Sequence, residues 1–99
     1  MTARFHLKAR AEYIAAYVWY EKKLTGLGDR FMEAVEKRLS QIIANPSTYA
    51  PKENSRFREI KVQRFPYIIV YEIMEKESFI HIAAIYHGKR NPAKKFRNL

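Results

Sequence analysis

From Tyr67 to Ile73 the chain reads Tyr-Ile-Ile-Val-Tyr-Glu-Ile, apolar at successive positions rather than at alternate ones. A strand with one wet face alternates apolar and polar side chains, whereas a run apolar on both faces needs a sheet neighbour on each edge. The segment is therefore expected at the centre of a sheet. The rest of the chain must supply its neighbours and its cover.

The flanks fit that demand. Upstream, Arg58, Ile60, Val62 and Arg64 share one face of a period-two pattern, and Phe57, Glu59, Lys61 and Gln63 share the other. Phe65-Pro66 makes the turn into the central run. Downstream, Glu75-Lys76-Glu77-Ser78 is the next turn, and Phe79 to Tyr86 is a last strand almost as apolar. Gly88 ends it, and Pro92 prevents a clean continuation. Three consecutive strands read as a meander.

The first half of the chain carries a different period. After a short candidate strand at Phe5, His6 and Leu7, the segment from Ala9 to Leu24 places Ala11, Ile14, Tyr17/Val18 and Glu21 on one face, with Tyr13, Tyr20 and Leu24 beside it. That spacing predicts an amphipathic helix. Tyr13, Tyr17, Trp19 and Tyr20 cannot all face one core, so an exposed aromatic surface and a broad buried face are both open readings. Thr25-Gly26-Leu27-Gly28-Asp29 interrupts the helix, and Asp29 stands where a carboxylate favours a new N-terminus. A second helix follows, with Phe31, Ala34/Val35, Arg38/Leu39 and Ile42/Ile43 on one stripe. It ends at Asn45-Pro46, because the residue before proline disfavours helical angles. The short joint predicts an antiparallel helical hairpin. From Pro46 to Ser55 the chain makes an irregular crossing. The order β-α-α-β-β-β predicts an α+β, two-layer domain, with the hairpin packed on one face of a mostly antiparallel sheet.

Size and charge bound the function. At 99 residues the chain is read as one domain, 1–99. It has no cysteine, so disulfides, thiolate metal sites and a cysteine nucleophile are excluded, and a reducing compartment fits. The N-terminal Met-Thr-Ala-Arg-Phe-His has no apolar leader core and no window suits a membrane span, which reads as cytoplasmic. The net charge is +9, with eleven Lys/Arg against five acids from Lys52 onward and eight against five before it. Five of those positive side chains lie in the tail from Lys89 to Arg97, which has no acid. Such a balance points to anionic partners, either nucleic acid or an acidic protein.

Few chemistries remain. The three glycines, at 26, 28 and 88, form no phosphate-cradling loop. His6, His81 and His87 lack metal-ligand spacing, and no serine lies in a nucleophile elbow. No metal and no cofactor is expected. His81, in mid-strand, reads as a structural histidine. In a meander, Tyr86 and His87 gather near one rim with Arg90, while the strand register decides whether Lys61 and Arg64 join them. Such a set suits gripping phosphates while His87 or Tyr86 moves a proton, as RNA cleavage through the 2′-hydroxyl requires. It equally suits docking on an acidic protein surface without chemistry.

Several of these segments together resemble the RelE/ParE superfamily of bacterial type II toxins. They are the arginine strand leading to Phe65-Pro66-Tyr67-Ile68-Ile69-Val70-Tyr71, the Ile82-Ala83-Ala84-Ile85 strand, His87-Gly88-Lys89-Arg90-Asn91-Pro92, and Gly28-Asp29-Arg30-Phe31 with Asn45-Pro46 around the second helix. The resemblance covers essentially the whole chain and is closer to the ParE, or plasmid-stabilisation, branch. It implies a growth-inhibiting toxin neutralised by a small acidic antitoxin that folds on binding, with operator DNA contacted only through that antitoxin. ParE-like members poison DNA gyrase, and RelE-like members cut messenger RNA on the ribosome. A non-toxic relative that only binds its antitoxin is a third reading. A nuclease of this pattern would draw on Lys61, Arg64, Tyr86, His87 and Arg90. The RelE branch usually carries an arginine on the middle strand, whereas Tyr67–Met74 has no Lys or Arg. The sequence therefore favours docking, with Arg56, Arg58, Lys61, Arg64, Lys89 and Arg90 expected on the target or another anion. Tyr13, Tyr17, Tyr20 and Leu24 on the aromatic-rich first helix are expected to meet the antitoxin, an acidic, amphipathic partner.

Overall fold

The computed structural model describes residues 1–89. In chain order the elements are β1 (Thr2–Phe5), α1 (Leu7–Lys23), α2 (Leu27–Ala44), a single 3₁₀ turn (Pro46–Thr48), β2 (Arg58–Lys61), β3 (Tyr67–Met74) and β4 (Phe79–His87). The four strands form one sheet in the order β1-β4-β3-β2. β1 runs parallel to β4, and the other pairings are antiparallel. β3 has a neighbour on each edge, as its apolar run demands.

The hairpin of α1 and α2 covers one face of the sheet. Ala9, Ala16 and Tyr20 from α1 and Phe31, Val35, Leu39 and Ile42 from α2 meet Ile60, Ile69, Tyr71, Ile80, Ile82 and Ile85. Phe31, fully buried, is the hub. Its ring centroid lies 5.1 Å from those of Tyr20 and Tyr67, 5.3 Å from Phe65 and 6.0 Å from Tyr13. Such offset and edge-on pairs add about 0.5–1.5 kcal/mol each beyond area burial. On the opposite face, Phe57, Val70, Ala83, Ala84 and Tyr86 form a second buried cluster.

One bulge sets the geometry of β4. Val70 pairs with Ala84 but Tyr71 pairs with Ile82, so Ala83 is an extra residue. The insertion restores Ile85 to the hairpin side, three residues after Ile82. β1 stops at Phe5 opposite Ile82, and past that point the β4 edge has no strand beside it. Glu12 of α1 stands in for one, its carboxylate accepting from Ile85 N at 3.1 Å.

Several boundaries differ from the sequence expectation. The first strand lies at Thr2–Phe5 instead of Phe5–Leu7, because pairing with Phe79–Ile82 fixes it there. His6 becomes the N-cap of α1, its Nδ1 accepting from Lys8 N at 3.0 Å, and Leu7 starts the helix. α1 buries Ala9, Ala16 and Tyr20, whereas Ile14 and Val18 from the expected stripe face solvent. The second helix starts at Leu27, before Asp29. Gly26 supplies the left-handed cap at φ 90°, and the Asp29 carboxylate accepts from the Tyr17 hydroxyl at 2.7 Å. β2 ends at Lys61, because the turn begins early: Val62 N bonds to Tyr67 O and Arg64 adopts φ 70°. Arg64 therefore leaves the face it was expected to share with Arg58 and Ile60.

Candidate functional site

The register brings Lys61 to the rim of Tyr86, while strand alternation sets His87 on the other face and the early turn takes Arg64 out of the strand. Lys61 pairs with Ile68, and Ile68 with Tyr86, so these three form one row. With strands about 4.8 Å apart, Lys61 and Tyr86 are roughly 10 Å apart across Ile68. This row lies on the face away from the hairpin, since Ile69 and Ile85 beside it belong to the hairpin-facing core. His87 lies on the hairpin side, its ring 5.4 Å from that of Tyr67, and its Nδ1 accepts from Lys89 N at 3.1 Å. Tyr86 and His87 are chain neighbours on opposite faces. Arg64 stands in the β2–β3 turn, in a cleft with α2. Arg90 lies outside the described residues.

The other cations divide between structural and open positions. Arg58 donates to Tyr49 O and ties the crossing loop to β2. Arg56 Nε donates to Glu72 Oε1 at 2.8 Å while its guanidinium lies 4.7 Å from the Phe57 ring. Lys61, Arg64 and Lys89 are exposed.

Glu72 interrupts the run otherwise read as apolar. Its side chain is only 10% exposed, and it is held by Arg56 on one oxygen and by His81 Nδ1 at 3.1 Å on the other. A buried carboxylate needs such partners. His81 thus has the structural part expected of it. Among the described residues no group of three or more potential ligands is arranged for a metal.

The tyrosines of α1 mostly join the hairpin. The Tyr13 hydroxyl donates to Glu36 Oε2 at 2.9 Å, and that of Tyr17 to Asp29. Burial and the Glu36 carboxylate push the Tyr13 hydroxyl well above the ordinary phenol range. The hydrogen bond to Asp29 is the leading cause of a rise at Tyr17, and burial of a rise at Tyr20. Tyr20 is a core residue with 9% exposure. Of the four residues expected to meet a partner, Leu24 is the most open, at 59%. With Leu24, the exposed apolar surface of this half of the chain includes Leu7, Ile14, Val18 and Trp19, and Met32 on α2.

Trp19 borders a groove that sequence reasoning missed. α1 contributes Lys8, Ala11, Ala15 and Trp19, and the sheet end contributes Pro66 and His87. The signal was present as Ala11, Ala15 and Trp19 at i, i+4 and i+8, two small residues leading to one large aromatic.

A helical hairpin on a four-stranded mixed sheet, with exposed cations at its rim and an apolar helix face, defines a small two-layer α+β domain. The family model described as the ParE toxin of the type II toxin-antitoxin system, parDE, matches residues 3–92, and the chain belongs to that family. Membership implies a cognate antitoxin as partner. The fold is similar to that in the structure titled "Chromosomal ParDE TA system from P. aeruginosa", with TM-score 0.72 and 20% identity over 88% of this chain and 95% of that one. It is also similar to the isolated E. coli RelE toxin, with TM-score 0.66 and 19% identity over 93% of this chain and 88% of that one. No curated protein matches the chain by sequence. Among the described residues no helix is long and apolar enough to cross a membrane.

Proposed function

We propose that this chain stops growth as a ParE-like toxin by docking on a protein target, DNA gyrase, without catalysing a reaction, and that a cognate acidic antitoxin neutralises it in the cytoplasm. The observation that carries this reading is the division of the cation–histidine set by the sheet. Lys61 and Tyr86 occupy one face, His87 the other, and Arg64 a separate cleft. A general acid–base pair must reach the same scissile phosphate within hydrogen-bond range, and side chains on opposite faces of a sheet do not. The central strand adds no cation to either face. Docking asks less: charged groups spread around a rim speed encounter and set orientation.

The antitoxin has its own footing in the apolar face of α1. An amphipathic segment that folds against Ile14, Val18 and Trp19 would remove from water side chains that this domain leaves 42–55% exposed. Operator DNA would be reached through that partner.

Induced expression of the chain alone is expected to arrest growth, and co-expression of a short acidic protein encoded beside it is expected to relieve the arrest. Primer extension on cellular messages separates the mechanisms. Ribosome-dependent cleavage that disappears in His87→Ala or Arg64→Ala overturns the docking reading in favour of a RelE-like endonuclease. Unimpaired growth at high expression would favour a non-toxic, antitoxin-binding relative.

A further inference from the structure

The first helix is apolar on two opposite sides. Ala9, Ala16 and Tyr20 turn to the sheet, whereas Leu7, Ala11, Ile14 and Val18 recur at intervals of four, three and four and are exposed. At 3.6 residues per turn these four lie within roughly 60° of one another, on the side away from the sheet. Leu7 is 81% exposed, and Trp19 stands open beside the stripe. The result is a convex apolar ridge about 18 Å long from Leu7 to Trp19.

The open charges around this ridge have one sign. Lys8, Arg10, Lys22 and Lys23 are exposed. The two acids of α1 are turned inward and engaged by backbone: Glu12 accepts from Ile85 N, and Glu21 accepts from Gly26 N and Gly28 N. Lys23 Nζ lies 4.9 Å from the centre of the Trp19 ring, which sets a cation and an aromatic side by side at the ridge. A second copy of the chain matches such a face poorly, because it brings the same four cations and a net charge of +9 against it. An anionic lipid surface matches it twice over. Adsorption of a helix lying in the surface plane grows with its apolar area and with its attraction to anionic headgroups, and lysine and arginine stems lie along apolar surface while their heads reach phosphate.

We propose that the free chain adsorbs to an anionic phospholipid surface through the outer ridge of α1. Leu7, Ile14, Val18 and Trp19 enter the boundary between headgroups and acyl chains, and Lys8, Arg10, Lys22 and Lys23 pair with lipid phosphates. The helix lies on the membrane and does not cross it. The inference goes beyond the proposed function and holds whichever macromolecule the toxin disables. Because Ile14, Val18 and Trp19 are also the residues proposed to meet the antitoxin, lipid and antitoxin exclude one another on a given chain.

The chain has a single tryptophan, so the emission of Trp19 reads the ridge directly in the full, unlabelled chain. Vesicles of mixed phosphatidylglycerol and phosphatidylcholine are expected to shift that emission to shorter wavelength, and vesicles of phosphatidylcholine alone to leave it unchanged. Added salt should reverse the shift. Leu7→Ser/Ile14→Ser keeps every charge and alters only exposed side chains, so its Tm should change little while its partitioning falls at least about tenfold. Lys8→Glu/Lys22→Glu keeps the apolar stripe and should also lose at least about tenfold. An unshifted emission at saturating anionic lipid overturns the proposal. So does co-sedimentation that is equal in the parent and in Leu7→Ser/Ile14→Ser, which would be adsorption by net charge alone. A shift that grows with chain concentration in the absence of lipid overturns it as well, by assigning the ridge to a second copy.

Discussion

Gly28→Ala should destabilise the domain, although alanine is the better helix former. Gly28 of α2 packs directly against the backbone of α1. A Cβ there would stand 2.8 Å from Tyr17 O, 2.9 Å from Glu21 Oε1 and 3.0 Å from Glu21 Cβ. The first neighbour is backbone and cannot rotate away. The second is engaged, because the Glu21 carboxylate accepts from Gly26 N at 2.9 Å and Gly28 N at 3.0 Å and so closes the interhelical turn. Helix propensity favours alanine by up to about 1 kcal/mol. Against this, overpacking costs about 1–3 kcal/mol, and losing one hydrogen bond to a charged acceptor costs about 1.5–3 kcal/mol. A net loss of at least about 1.5 kcal/mol follows. In a domain of this size that minimum lowers Tm by roughly 6–12 °C, readable by far-ultraviolet circular dichroism. Adding Glu21→Ala removes part of the obstacle, so the double variant should lose less than the sum of the singles. A Gly28→Ala protein as stable as the parent, or more so, refutes the account of the hairpin.

Three further perturbations probe other parts of the structure. Glu12→Ala leaves the part-buried Ile85 N–H without its acceptor and should cost about 1–3 kcal/mol in urea unfolding; an unchanged midpoint denies that Glu12 closes the β4 edge. The hydroxyls of Tyr13, Tyr17, Tyr20 and Tyr71 are all raised above the ordinary phenol value, chiefly by burial except at Tyr17, where the bond to Asp29 leads. The folded state holds these protons more tightly, so their contribution is complete below the unfolded value of about pH 10 and is lost as pH rises through the folded values; Tyr13→Phe should flatten that alkaline decline, and an unchanged slope contradicts the assignment. Trp19→Ala should weaken the neutralising antitoxin by at least about 2 kcal/mol, or thirtyfold, as a central aromatic anchor does, with little change in Tm; unaltered neutralisation places the antitoxin elsewhere.

The layout was legible because its signals are local. The two-sided apolar run of Tyr67–Ile73 demanded a central strand, and glycines and Asn45-Pro46 marked the helix ends. What stayed hidden depends on pairing. Thr2–Phe5 has too short a pattern to declare a strand, and only its parallel partner Phe79–Ile82 fixes it. The bulge at Ala83 has no mark in the Ala83-Ala84 pair, yet it returns Ile85 to the hairpin side. The candidate site suffered most. Arg56 and Arg58 look like free cations in the sequence, but Glu72 and Tyr49 O engage them from 16 and 9 residues away. Tyr20 is buried by contacts with Phe31, Phe65 and Tyr67 that no helical spacing reveals.

The central claim is that the rim grips a protein target and carries out no cleavage. Its most direct test is a supercoiling assay with purified chain, purified DNA gyrase and relaxed plasmid. The account predicts dose-dependent loss of supercoiling, reversed when the cognate antitoxin is added and undiminished in His87→Ala. Normal supercoiling at saturating chain would contradict it.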